Sequence, residues 1–176
     1  MTSPPSWLHS SQNPSQPPLV RGGAVASLPD KGGLGWVCEL CNQDGGEVIF
    51  RNDFLRVVLV DNADYPGFCR VICNAHVAEM TDLAIPQRSA MMMTVCKVEQ
   101  ALREVLQPDK INLASLGNMT PHLHWHVIPR FKHDKHFPQP IWGLAQREGK
   151  SSLPLDWHTY LIKNIATQLN RTAASA

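Results

Sequence analysis

The sequence predicts an α+β domain built on a mainly antiparallel five-stranded sheet, with one long helix and a C-terminal helix. Three observations lead there. Two β-branched runs flank a three-residue turn, a third follows a turn-rich stretch, and a segment of helical periodicity precedes two further strand-like runs. Strands grouped before one long helix, rather than alternating with helices, favour an antiparallel sheet over parallel βαβ units.

Taken in order, "EVIF" (47–50) and "FLRVVLV" (54–60) read as two strands joined through "RND". "NADYPG" is turn chemistry, and "FCRVI" (68–72) is the third strand. From about Pro86 the period changes: Met92, Val95, Leu102 and Val105 recur at helical spacings, and Pro108 ends the helix. The methionine cluster inside it reads as core filler. "KINLASLG" (110–117) is the fourth strand and "PHLHWHVIPR" (121–130) the fifth. Trp157, Leu161, Ile165 and Leu169, four apart, predict a tail helix over about 155–169.

Domain organisation follows from composition. Residues 1–33 are rich in Pro and Ser, with one charged side chain before Asp30, namely Arg21. Such a stretch buries too little apolar surface to offset its ordering entropy, so a disordered extension is expected there. Residues 34–145 form the expected domain and 146–176 a helical tail. The net charge of +1 offers no broad basic surface for nucleic acid. No apolar run approaches the roughly 20 residues of a membrane helix. The first residues lack the basic and apolar regions of a secretory signal, so a cytoplasmic protein with five reduced cysteines is expected.

The fifth strand carries the chemistry. Side chains alternate across a strand, so His122, His124 and His126 share one face while Leu123, Trp125 and Val127 share the other. Core histidines usually come singly, because each ring nitrogen needs a partner. Two functional readings remain: a three-histidine metal site with an open position, or a histidine nucleophile whose neighbours bind phosphate.

"HLHWHVI", with "NLASLGN" before it and "PR" after it, resembles the histidine-triad (HIT) family of nucleotide hydrolases and transferases. The resemblance covers about residues 36–143. "PGF" leading into a strand and "NAHVAEMTDL" ahead of a helix also fit, and "HFPQPIWG" is similar to bacterial members that hydrolyse diadenosine tetraphosphate. The resemblance implies a HIT-like fold and a middle histidine, here His124, that attacks the α-phosphorus of a nucleotide. It further implies His126 on the transferring phosphate, Asn112 and Asn118 on phosphate oxygens, and Asp61 on the ribose. Each Asn, and Asp61, reads almost equally well as an ordinary turn or edge residue.

"CELC" places Cys38 and Cys41 to chelate one ion. In some family members, and in related galactose-1-phosphate uridylyltransferases, a distant histidine and the first triad histidine complete such a site. The resemblance thus implies a structural zinc on Cys38, Cys41, His76 and His122. Cys69, Cys73 and Cys96 read as inert core thiols. Homodimers are usual in the family, and pairing would carry Trp142 to a neighbour's site. His133 and His136 read as solvated loop residues, with distal phosphates as the alternative.

Two departures stand out. Many members carry histidine where this chain has Phe68, and Ser or Thr where it has Met119. The expectation is therefore a nucleotide hydrolase or transferase releasing a nucleoside monophosphate. A three-histidine zinc enzyme, and a nucleotide-binding module with little turnover, are the alternatives.

Overall fold

The computed structural model describes residues 38–149 and 153–170. The expected extension over residues 1–33 lies outside them. A one-turn helix α1 (Glu39–Asn42) precedes strands β1 (Glu47–Arg51), β2 (Leu55–Leu59) and β3 (Cys69–Cys73). The long helix α2 (Ile85–Leu106), strands β4 (Lys110–Ala114) and β5 (His124–Arg130), and helix α3 (Trp157–Asn170) follow. The α+β class and all five expected strands are present, with boundaries shifted by one residue in β1 to β3, while β4 ends three residues earlier and β5 begins three residues later than expected.

The sheet order is β1-β2-β3-β5-β4, antiparallel throughout. The last strand in the sequence is thus not at an edge. Helix α2 carries the chain across one face to the far side, and β5 returns into the gap beside β3. Pro129 is compatible with this inner strand because the β3–β5 ladder ends at Cys69 opposite Val127, leaving Pro129 paired only with Ile111 of β4.

Alternation separates the two faces. Leu55, Val57, Leu59, Val71, Ile111, Leu123 and Val127 bury against α2 and α3 in the main core. Val58 and Ile72 point the other way and are covered by Leu40 of α1. Along α2 the deepest side chains are Met91, Val95, Val98, Ala101, Leu102 and Leu106. Met91 rather than Met92 therefore lies at the centre of the apolar stripe. Helix α3 buries Leu161, Ile165 and Leu169 against α2 and β1, the stripe its spacing predicts.

Gly67, in "PGF", has φ +85° and abuts the end of α2. An added Cβ would sit 2.4 Å from Leu106 Cδ1 and 3.3 Å from Pro129 Cγ. Gly67→Ala is expected to destabilise the chain by about 1–3 kcal/mol, mostly through the left-handed backbone. A urea titration that leaves the midpoint unchanged would contradict this.

Candidate active site

The histidine segment departs from a uniform strand. β5 begins at His124, so His122 lies just before it, with its N–H bonded to Thr120 O (2.8 Å). The path stays extended because Leu123 bonds on both sides, donating to Val77 O and accepting from Cys73 N–H. Alternation therefore survives: Leu123 enters the core and His122 the opposite face.

The three imidazoles then take different partners. His124 Nδ1 lies 2.6 Å from His122 O, and its Nε2 lies 3.1 Å from His126 Nε2. A carbonyl only accepts, so neutral His124 carries its proton on Nδ1 and presents a lone pair at Nε2. His126 Nε2–H then donates to that lone pair, leaving His126 Nδ1 buried with no partner. Burial lowers the pKa of His124 despite the opposing carbonyl bond. His126 falls to about 3, through burial first and then the neighbouring charges of His124 and Arg70. Both rings are neutral at pH 7. Phe68 (ring centroids 5.5 Å apart) and Trp142 (5.2 Å) pack against His126, which explains its desolvation.

His122 belongs to a second cluster. Its Nε2–H donates to Cys73 O at 2.7 Å, which turns the Nδ1 lone pair toward Cys38 Sγ (3.4 Å) and Cys41 Sγ (3.5 Å). His76 Nδ1 lies 3.3 Å from Cys41 Sγ. The four ligand atoms of Cys38, Cys41, His76 and His122 all lie within 4.8 Å of one another. Tetrahedral zinc, with Zn–S about 2.3 Å and Zn–N about 2.0–2.1 Å, places sulfur and nitrogen ligands roughly 3.5 Å apart. The donor set fits such an ion in identity, spacing and tautomer, and the Cys73 carbonyl supplies the outer bond that fixes the His122 ring. His124 and His126 are not in this set.

Other predicted residues divide. Asn112 stands on β4 with Oδ1 accepting from Arg130 Nη1 at 2.6 Å. Asn118 is exposed in the β4–β5 loop, without a side-chain hydrogen bond among the described residues. Asp61 is exposed at the end of β2 and lines a cleft of about 420 Å³ with Trp157 and His158, a cleft that none of the triad histidines lines. Trp142 reaches His126 of its own chain, so no partner is needed to bring it there. His136 bonds Tyr65 through Nδ1, while His133 is exposed and stacks on Phe131. Met119 is 91% exposed. Cys69 and Cys73 are buried, and burial pushes the Cys69 thiol up to about 12. Cys96 corrects the reading of three core thiols: it faces solvent from α2.

Three arginines escaped the sequence reading. Arg56, buried, donates to the carbonyls of Leu40 (2.6 Å), Gln43 (3.3 Å) and Asp44 (3.0 Å) and to Asn74 Oδ1 (3.3 Å), fastening the segment that bears Cys38 and Cys41 onto β2. Arg130 is clamped by Asp134. Arg70 stands opposite His126 in the sheet. An arginine in a strand reads as an exposed residue unless the covering segment is known.

A sheet that presents one carbonyl-anchored imidazole, a second imidazole in contact with it and a separate Cys2His2 donor set defines a histidine-triad type of protein by fold and site. The family model of the HIT domain matches residues 42–133, more than half of the chain, and the chain belongs to that family. It is similar to an AP-4-A phosphorylase of Mycobacterium tuberculosis, 27% identical over 108 residues, covering 58% of this chain and 55% of that protein. It is also 27% identical over 95 residues to a bis(5'-nucleosyl)-tetraphosphatase (asymmetrical) of Schizosaccharomyces pombe, covering 51% and 52%. The chain thus spans about half the length of these curated relatives. Among solved structures, a histidine triad protein from Bradyrhizobium japonicum superposes with TM-score 0.59 at 27% identity, covering 71% of this chain and 91% of that one. A zinc-bound histidine triad family protein from Mycobacterium smegmatis has TM-score 0.51 at 21% identity, covering 77% and 94%, a likeness of fold. No helix among the described residues is long and apolar enough to cross a membrane.

Proposed function

We propose that the protein is a nucleotide hydrolase or transferase in which His124 attacks the α-phosphorus of a nucleoside polyphosphate or phosphoramidate and a nucleoside monophosphate is released. The observation that carries this is the His124 ring, anchored at Nδ1 by the His122 carbonyl so that its lone pair lies on Nε2, beside His126 Nε2–H. A neutral imidazole needs no separate strong base to act as a nucleophile. As the Nε2–P bond forms, the bond to the leaving group breaks; a polyphosphate leaves as a stable anion, so His126 need only supply a hydrogen bond from Nε2–H, whereas the amine of a phosphoramidate takes up a proton from solvent as it leaves. The positive charge that develops on the His124 ring is shared with the His122 carbonyl through Nδ1–H. Water then attacks phosphorus, the P–N bond breaks, the water proton passes to solvent and His124 regains its neutral form. Positioning and charge placement dominate such transfers. Diadenosine tetraphosphate is a fitting substrate given the named activities of the two relatives.

Zinc on Cys38, Cys41, His76 and His122 would tie α1 to the catalytic strand, a structural role that leaves His124 free. Metal analysis of the purified chain is expected to give about one zinc per chain, lost in Cys41→Ser and retained in His124→Ala. Zinc lost instead with His124 and His126 would favour the three-histidine metal enzyme. The apolar ring of Phe68 against His126 is what favours the remaining alternative, a binding module with little turnover. Intact-mass spectrometry after brief incubation with dinucleoside polyphosphates and adenosine phosphoramidate separates them: the native chain should gain one nucleotidyl group and His124→Ala none. Nucleotide binding with neither labelling nor turnover would select the binding module. The protein is further proposed to act as a homodimer in the cytoplasm, which gel filtration and fractionation would check.

A further inference from the structure

We infer that Arg70 is a substrate-binding residue whose guanidinium takes a phosphate oxygen of the nucleotide on the β3 side of the triad. The inference rests on the nucleotide-handling reading above and names a contact that the triad itself does not supply.

Arg70 lies directly opposite His126 in the β3–β5 ladder and opposite Val58 in the β2–β3 ladder. Opposite side chains of an antiparallel pair share a face with Cβ atoms about 4.5–5.5 Å apart, so Arg70 rises beside the ring that faces His124. Its neighbours along that face are apolar, Phe68 just before β3 and Ile72 within it, and its Cζ stands 5.6 Å from the Phe68 ring centroid. The hydrogen-bonding capacity of the side chain is nearly unused. Nε is buried with no acceptor, and Nη1 reaches Gly45 O only at 3.5 Å. No carboxylate lies within ion-pair distance among the described residues.

Two buried arginines on this face, Arg56 and Arg130, show what a satisfied guanidinium looks like here. Arg56 has four acceptors, and Arg130 has a bidentate carboxylate, Asn112 Oδ1 and Gln139 O. A partly desolvated guanidinium without such partners is costly unless an anion arrives from outside. The planar fork of arginine suits phosphate oxygens, which accept in a bidentate arrangement. His124 and His126 turn to each other beside Arg70, so a phosphate engaged by this pair meets a guanidinium with unused donors on the same face.

The test is equilibrium binding by calorimetry of adenosine, AMP and a methylene-bridged ADP analogue to the full chain and to Arg70→Gln and Arg70→Lys. The native chain should bind the phosphorylated ligands more tightly than adenosine. Arg70→Gln should weaken them about 10- to 100-fold while leaving adenosine within about twofold, with Arg70→Lys between. Loss already seen with AMP assigns the contact to the α-phosphate; loss confined to the ADP analogue assigns it to the next phosphate. Equal weakening of adenosine and the nucleotides, or no weakening at all, would overturn the role of Arg70 while leaving the nucleotide reading intact. Failure of the native chain to bind any of the three ligands would overturn both.

Discussion

Replacement of His124 by alanine is expected to lower kcat/KM toward dinucleoside polyphosphates by at least about 10³-fold, because the attacking lone pair disappears while the rest of the site remains. His126→Gln should cost less, on the order of 10- to 10³-fold, since the hydrogen bond that His126 gives the leaving phosphate is displaced but the nucleophile is kept. The fold should tolerate His124→Ala, because the ring bonds a local carbonyl and its neighbour rather than a distant core element. Its melting temperature should fall by only a few degrees. Steady-state kinetics with a thermal melt on the same samples provide the check: an alanine variant keeping a tenth or more of native activity would remove His124 from the nucleophile's role.

The largest stability effect is expected at Asp134. Its carboxylate accepts Arg130 Nε (2.7 Å) and Nη2 (3.0 Å) and the backbone N–H groups of Phe131 (3.2 Å), His136 (2.9 Å) and Phe137 (2.7 Å). Arg130 is 1% exposed and Asp134 5%. Asp134→Ala strands a buried guanidinium and three backbone donors, so a loss of about 3–5 kcal/mol is expected, or a melting temperature lower by on the order of 10–20 °C. Arg130 also holds Asn112 and the Gln139 carbonyl, so the variant should loosen the loop that brings Trp142 to His126. Burial by itself would raise the Asp134 carboxyl, but the bonds from Arg130 and from the N–H groups of His136 and Phe137 outweigh it and hold the group below the usual carboxylate range. A depressed folded value means that the stabilisation is complete above the unfolded value of ~3.9 and is lost as pH falls through the folded one. The stability gap between native chain and Asp134→Asn should therefore be constant from pH 7 to 5 and close toward pH 2. A gap that widens on acidification would contradict the assignment.

Much of this was legible in order along the chain. The β-branched runs, the turn residues and the period change at Pro86 are local signals, and each became the element it predicted. The four-residue spacing of Leu161, Ile165 and Leu169 likewise named the face that α3 buries. What was not legible is instructive at Arg70 and Arg130. Both sit in strands next to hydrophobic residues, and their immediate neighbours do not say that one meets a carboxylate and the other does not. Asp134, four residues beyond Arg130, is the one signal that was available. The sequence order also hid the place of β5, because an inner strand made last needs α2 to carry the chain past the gap it fills.

The sequence by itself determined that one side of β5 is chemical and the other is core, since the pleat alternates side chains wherever the strand lies. It also determined the residue types present for a nucleophile and a metal site. The tertiary structure alone decided how the imidazoles are shared out: His122 meets Cys38 across 84 positions of chain, while His124 and His126 turn to each other. It decided as well that Phe68 and Trp142 close on His126 from distant segments. The physical reason is the same in each case. Alternation is set by neighbouring peptides, whereas the partner of a ring nitrogen is set by which backbone and side chains the packed sheet brings within about 3 Å.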